Sequence, residues 1–224
     1  MNRKLRFNDP KTKVWVASDW HIHHSRDFIW KPRGFTSVEE SNRWILDDVN
    51  AMVGQNDVLL YLGDWMLNAP NDHAFEDFVK RIICQNVYAV WGNHEGPSWA
   101  YYQSGLQEKF GKDFTAEVYP FKVGNITFLG NYAEIEVYRQ TVTLTHYPFR
   151  IWNKSHHSTR NLCGHSHGSF SETLPSANCG KVLDCGVDVT KAYWNHAVFS
   201  WEIIERIMKT KETPTVDHHD TKTT

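Results

Sequence analysis

Apolar residues along this chain gather into short runs that end in polar turns, and the length and period of each run predict an element. Residues 14–17, 58–62 and 87–91 are unbroken or nearly unbroken apolar runs of strand length, the mark of strands buried on both faces. Helical spacing follows the first two. Residues 36–40 (Thr-Ser-Val-Glu-Glu) read as an N-cap with acids in the first turn, and Val38, Trp44, Ile45, Leu46, Val49 and Met52 supply one apolar face. Gly54 ends that helix. A second helix is expected over residues 72–84, carried by Phe75, Phe78, Val79, Ile82 and Ile83. Residues 25–35, with Trp30, Pro32 and Gly34, read as a loop. Strand, helix, strand, helix, strand predicts a parallel sheet covered by helices.

The pattern then changes. Residues 121–123, 126–129, 133–138 and 141–144 are short runs, several of them alternating, separated by turn residues such as Gly124-Asn125. This is strand-rich, largely antiparallel territory. Further strands are expected within 161–163, 182–185 and 197–204. A parallel half followed by a strand-rich half predicts an α/β (α+β) chain of two packed sheets with helices outside. Residues 1–208 read as a single domain, and residues 209–224, rich in Thr, Lys, His and Asp, as a mobile tail.

Composition narrows the class. The chain has 224 residues, enough for a substantial core, and 41% hydrophobic with 22% charged residues excludes wholesale disorder. A formal charge of −2 gives no global basic field, so nucleic acid enters only as a locally held substrate. No apolar run approaches the ~18 residues of a membrane span and the N-terminal stretch has no apolar signal core, so a cytoplasmic protein is expected. Cys84, Cys163, Cys179 and Cys185 lack metal-site spacing and read as reduced core thiols, with a Cys179–Cys185 bridge as a minor alternative.

Thirteen histidines demand a chemical account. Gly164-His165-Ser166-His167-Gly168 places two imidazoles two residues apart, on one side of an extended backbone, which points to a metal. Other ligand types stand in the same position relative to their strands: Asp19 and His21 after residues 14–17, Asp64 after 58–62, Asn93 and His94 after 87–91, and His146 after 141–144. Turn residues at strand ends are where layered α/β proteins keep their chemistry. Carboxylate, amide oxygen and imidazole together suit borderline divalent ions: Mn²⁺ first, with Zn²⁺, Fe²⁺ or Ni²⁺ as alternatives.

Asp19-x-His21, Gly63-Asp64, Gly92-Asn93-His94-Glu95, His146 and Gly164-His165-x-His167 resemble, in identity and order, the motifs of the calcineurin-like metallophosphoesterases. Thr145-His146-Tyr147-Pro148 and Leu183-Asp184-Cys185-Gly186-Val187-Asp188 resemble a small bacterial and phage subgroup of that family. The resemblance implies a four-layer αββα sandwich, two mixed sheets flanked by helices, and a two-metal centre. It assigns Asp19, His21 and His167 to one metal and Asn93, His146 and His165 to the other, with Asp64 bridging. It also implies in-line attack by a metal-bridging hydroxide, with His94 beside the leaving group. One departure stands out: Asn68 follows Asp64 by four residues, and no acid occupies residues 65–68, where many relatives carry one.

The substrate is less legible. Arg33, Arg150 and His24, then Lys154, His156, His157 and Arg160, are candidates for phosphate or leaving-group contacts. Trp20, Trp65, Trp99 and Trp152 adjoin motifs and suggest an aromatic rim able to stack a nucleobase. These features favour a phosphodiester, nucleotide-like substrate. The alternatives are a phosphomonoesterase or a non-catalytic metal-binding scaffold. Oligomeric state is not encoded legibly.

Overall fold

A computed structural model of the chain describes residues 4–170 and 180–213. Two mixed sheets form. The first takes β2 (Val14–Ala17), β3 (Val58–Tyr61) and β4 (Asn86–Ala89) in parallel at its centre, continues in parallel with β6 (Ile126–Phe128), and is closed by antiparallel β5 (Phe121–Val123) on one edge and β11 (Phe199–Ser200) on the other. The second runs β1 (Arg6–Phe7), β7 (Tyr132–Val137), β8 (Gln140–Thr145), β9 (Arg160–Cys163) and β10 (Val182–Asp184), with only the β7–β8 pair antiparallel.

The unbroken apolar runs serve two cores at once, because successive strand residues face opposite sides. Val14, Val16, Val58, Leu60 and Leu62 pack with Ile135, Val137, Val142, Leu144 and Leu162 of the second sheet. Their neighbours Trp15, Ala17, Leu59 and Tyr61 pack beneath helices α2 (Val38–Met52), α3 (Ala74–Lys80) and α4 (Gly96–Phe110), against Ile45, Val49, Phe75, Phe78, Tyr102 and Leu106. A small cluster of Trp152, Cys163 and Val182 covers the outer face of the second sheet. Helix α2 starts on a side-chain cap: Ser37 Oγ accepts from the Glu40 backbone N–H at 3.1 Å, and the Glu40 carboxylate reaches back past the cap to accept from the Thr36 N–H at 2.7 Å.

Several expectations need correction. Residues 25–35 contain a short helix, α1 (Asp27–Trp30). Helix α3 is shorter than predicted, since Ile82–Cys84 leave it for the turn into β4. Two further helices are not predicted: α4, whose Trp99, Tyr102 and Leu106 stripe is blurred by Ala100, Tyr101 and Gly105, and α5 (Val187–Trp194), which follows Gly186 and ends at Asn195 in the left-handed region. Residues 197–204 are not a strand throughout. Only Phe199–Ser200 pair in the sheet, and Ser200 Oγ then caps α6 (Trp201–Lys209) by accepting from the Ile203 N–H at 3.4 Å. Trp201, Ile204 and Met208 form the buried stripe of α6, at intervals that a strand reading misses. Cys84, Cys163 and Cys185 are free and buried; Cys179 and residues 214–224 of the expected tail lie outside the described residues. Among the described residues no helix is long and apolar enough to cross a membrane.

Leu60 is fully buried in the core between the sheets. Leu60→Ala is therefore expected to destabilise the protein by about 2–5 kcal/mol, read from the shift of the urea midpoint at unchanged m-value.

Candidate metal centre

Each predicted ligand emerges at the C-terminal end of a strand, and the local backbone makes the turn possible. Asp19, His21, Asp64, His165 and His167 all have positive φ, between 48° and 70°. Non-glycine residues rarely adopt this conformation, and its clustering marks a site where the surroundings impose it. Here the turns after β2 and β3 lock together: Asp19 N–H donates to Gly63 O at 3.0 Å, His21 N–H to Asp64 O at 3.1 Å and Ile22 N–H to Trp65 O at 2.9 Å. The second sheet is tied in by His165 N–H, 3.0 Å from Asp19 Oδ2.

Two clusters result. Ligand atoms of Asp19, His21 and His167 lie within 4.8 Å of one another, as do those of Asp64, His146 and His165. Asp64 connects them, its Oδ2 lying 3.6 Å from His21 Nε2 and 3.4 Å from His146 Nε2. Asn93 Oδ1 joins the second cluster at 3.0 Å from His146 Nε2 and 2.9 Å from His165 Nδ1. In the first cluster Asp19 and His21 are buried and His167 is half-buried; in the second Asn93 and His165 are exposed, so it is the more open to solvent.

The donor set fits divalent cations. His146 Nδ1 sits 2.8 Å from the Leu62 carbonyl and His167 Nδ1 sits 2.7 Å from Asp188 Oδ2, acceptors that require N–H on the ring. Each ring then turns its Nε2 lone pair inward, where it meets carboxylate and amide oxygens. Lone pairs converging on a common point are the arrangement that a cation satisfies.

Charge balance within the clusters follows the same geometry. Burial pushes Asp19 up to about 7, although His146 and His167 oppose it. Burial holds His21 neutral, down to about 3, against the pull of Asp64. At Asp64 burial is outweighed by the hydrogen bond and charge of His146 and by the His94 N–H, and its pKa falls to about 2. His146 also resists burial through Asp64 and Asp19, and is raised to about 9. Cations need these groups unprotonated, so a metal binding here would compete with protons on Asp19 and His146, both raised.

The remaining predicted residues divide. His94 donates its backbone N–H to Asp64 Oδ1 at 2.8 Å, and its ring centroid lies 5.5 Å from that of His21. His24 packs its ring 5.5 Å from His21 and 5.5 Å from the exposed Phe28. Arg150 is exposed on the turn after His146. Arg33 does not reach outward: its side chain is 1% exposed and ion-paired with Asp188. Arg160 is likewise engaged, with Glu205 and over the Trp201 ring. Ser155–His157 form a 3₁₀ turn after Lys154. The tryptophan rim is overturned, for Trp20, Trp65 and Trp152 are buried and Trp99 packs on Trp91 and Tyr102. Large indoles found more apolar surface beneath the turns than above them.

Sequence reading gave no role to Glu95, Asp184, Asp188 and Tyr147. Glu95 Oε1 accepts from the backbone N–H groups of Asp64 at 2.7 Å and Gly92 at 2.9 Å, and burial pushes its pKa up to about 7. Asp184 accepts from Ser166 Oγ and from the Gly168 and Gly186 N–H groups, stapling the His165–His167 turn to β10. The signal lay inside the motifs themselves: Glu95 closes Gly92-Asn93-His94-Glu95, Asp184 and Asp188 stand in Leu183-Asp184-Cys185-Gly186-Val187-Asp188, and Tyr147 follows His146.

Two outcomes are expected. A Cβ at Gly92 would stand 2.5 Å from the Asp64 backbone N and closer still to its Oδ1, so Gly92→Ala should displace Asp64 and lower metal stoichiometry, read by elemental analysis of the purified variant. Apparent affinity for Mn²⁺ should climb with pH from 7 and level off above about 9, the His146 value. Calorimetry in two buffers of different ionisation heat should count the released protons, and equal heats in both would sink the account.

Comparison with known proteins sets this centre in context. An uncharacterized protein of Methanocaldococcus jannaschii, MJ1445, is 26% identical over 83 residues, covering 37% of this chain and 47% of that protein. The chain thus matches about half the length of that curated relative. A protein of unknown function from Aquifex aeolicus, AQ665, has a crystal structure that superposes with a TM-score of 0.57 at 15% identity, over 88% of this chain and all of that one. This likeness concerns the fold. The model of the calcineurin-like phosphoesterases matches residues 12–211, a span that holds both clusters and every strand from β2 onward; the chain belongs to the calcineurin-like phosphoesterase family.

Proposed function

We propose that this protein hydrolyses a phosphodiester of nucleotide-like character, using two divalent cations of which Mn²⁺ is the preferred kind. The observation that carries the reading is Asp64, one carboxylate within 3.6 Å of imidazoles from both clusters. Asp19, His21 and His167 would hold one ion and Asn93, His146 and His165 the other, with Asp64 shared. Two such ions, when bound, lower the pKa of a water from 15.7 to about 7 and neutralise phosphoryl oxygens.

The chain's own groups do the rest. The Asp64 carboxylate is oriented by His94 N–H, and its backbone by Glu95, so the shared ligand is fixed from two directions. The His94 ring stands beside the first cluster, able to donate a proton to the departing oxygen, a role worth roughly 10²–10⁴ in rate. Support for an aromatic leaving group comes from two exposed rings that flank the clusters. Tyr147, 49% exposed, lies 4.4 Å from the His165 ring with its hydroxyl 3.4 Å from Asn93 Oδ1. Phe28, 65% exposed, packs against His24 on the other side. A base laid on either ring would stack at a typical ~1–3 kcal/mol.

Hydrolysis of bis(p-nitrophenyl) phosphate should return when Mn²⁺ is restored to metal-stripped protein and vanish in Asp64→Ala. Turnover of p-nitrophenyl phosphate alone would make the enzyme a monoesterase, and turnover of neither with any divalent ion would leave a metal-binding scaffold. His94→Asn should lower kcat on the diester by roughly 10²–10⁴ with little change in KM, whereas Tyr147→Ala should raise KM for a nucleotide diester and leave that for a methyl diester nearly unchanged.

A further inference from the structure

Arg33 is placed as few surface-loop arginines are. It follows helix α1, yet its guanidinium turns inward and spends its donors on four acceptors. Nε and Nη2 meet Asp188 Oδ1 and Oδ2, both at 2.9 Å. Nη1 donates to the Trp20 carbonyl and Nη2 to the Asp19 carbonyl, both at 3.0 Å. Those two carbonyls belong to the turn between Asp19 and His21, whose φ values are 58° and 50°. Asp188, in the first turn of α5, uses the oxygen it shares with Nη2 to accept from His167 Nδ1 at 2.7 Å.

We infer that Arg33 and Asp188 are a positioning pair for the Asp19–His21–His167 cation site, rather than substrate contacts. The inference rests on the metal-binding reading of that cluster. Asp188, an acceptor only, fixes the proton of His167 on Nδ1 and so turns the Nε2 lone pair towards His21 Nε2, 3.2 Å away, and the Asp19 carboxylate. Arg33 holds the carbonyls of a left-handed turn whose N–H groups are tied to Gly63 and Asp64, so the turn is fixed from both sides. One planar fork thereby ties ligands from residues 19–21 to a ligand at residue 167, a geometry that lysine, a single-point donor, cannot reproduce. The other cluster is oriented separately: His146 Nδ1 is held by the Leu62 carbonyl. The pair's own hydrogen bonds therefore fall on residues of the first site.

Mn²⁺ titration of metal-stripped protein tests this, with free ion counted by electron paramagnetic resonance and folding checked by near-ultraviolet circular dichroism. Wild-type protein is expected to bind two ions. In Asp188→Asn, Arg33→Gln and Arg33→Lys one ion should keep its wild-type affinity while the other weakens ~10–100-fold. A second readout separates positioning from mere support of the fold: ¹⁵N shifts of the neutral His167 ring should report Nδ1–H in wild type and a move towards Nε2–H in Asp188→Asn, whose amide can face the ring with a donor. Two ions at wild-type affinity in all three folded variants would overturn the inference. Equal weakening of both sites with an unchanged His167 tautomer would overturn it too. Wild-type protein that binds no Mn²⁺ would remove the metal reading itself, and this inference with it.

Discussion

The structure depends on one buried carboxylate that has to be shared. Asp64 leaves the central strand β3 in a left-handed turn, is gripped through its backbone N–H by Glu95, and offers Oδ1 to the His94 N–H and Oδ2 to His21 and His146. An anion so enclosed needs positive charge nearby to be tolerated. The protein supplies part of it as a raised pKa on His146 and leaves room for the remainder in convergent lone pairs. The close glycine backbones at 63 and 92 follow from this demand, since a side chain at Gly92 would occupy the space that Asp64 fills.

Much of this was legible in the chain. A strand buried on both faces has no polar alternation, so residues 14–17 and 58–62 declared themselves and their ends located Asp19, His21 and Asp64. The strand-rich second half was also readable from short alternating runs. Four helices were not: α1 is a single turn inside a stretch that reads as a loop. Helix α4 blurs its apolar stripe with Tyr101 and Gly105, α5 is short and buries only Val187 and Thr190, and α6 follows a strand of two residues without a break. Local spacing cannot announce a helix whose position is set by tertiary packing.

The site's outer parts failed for a different reason. Sequence reading judged arginines and tryptophans by residue type and by proximity to motifs. Trp20 and Trp65 follow ligands directly, but the tight turns that point Asp19 and Asp64 into the centre direct the next residues into the core. Arg33 lies twelve residues beyond His21 in the chain, yet the fold brings it beneath the same turn. Position relative to a turn, more than residue type, decides whether a side chain meets substrate or supports the ligands.

The candidate ligands also come from both sheets: Asp19, His21, Asp64 and Asn93 from the first, His146, His165 and His167 from the second. Neither sheet carries a complete cluster, because His167 completes the first and His146 and His165 the second. The centre therefore closes only when the sheets have docked, after the chain has joined residues more than a hundred positions apart, as Asp19 and His165 are. Bound ions would then act as staples across the seam, stabilising the docked form by mass action and giving nothing to a half-folded chain. Metal binding and final assembly would then be one event, for the cluster geometry exists only where the two sheets meet.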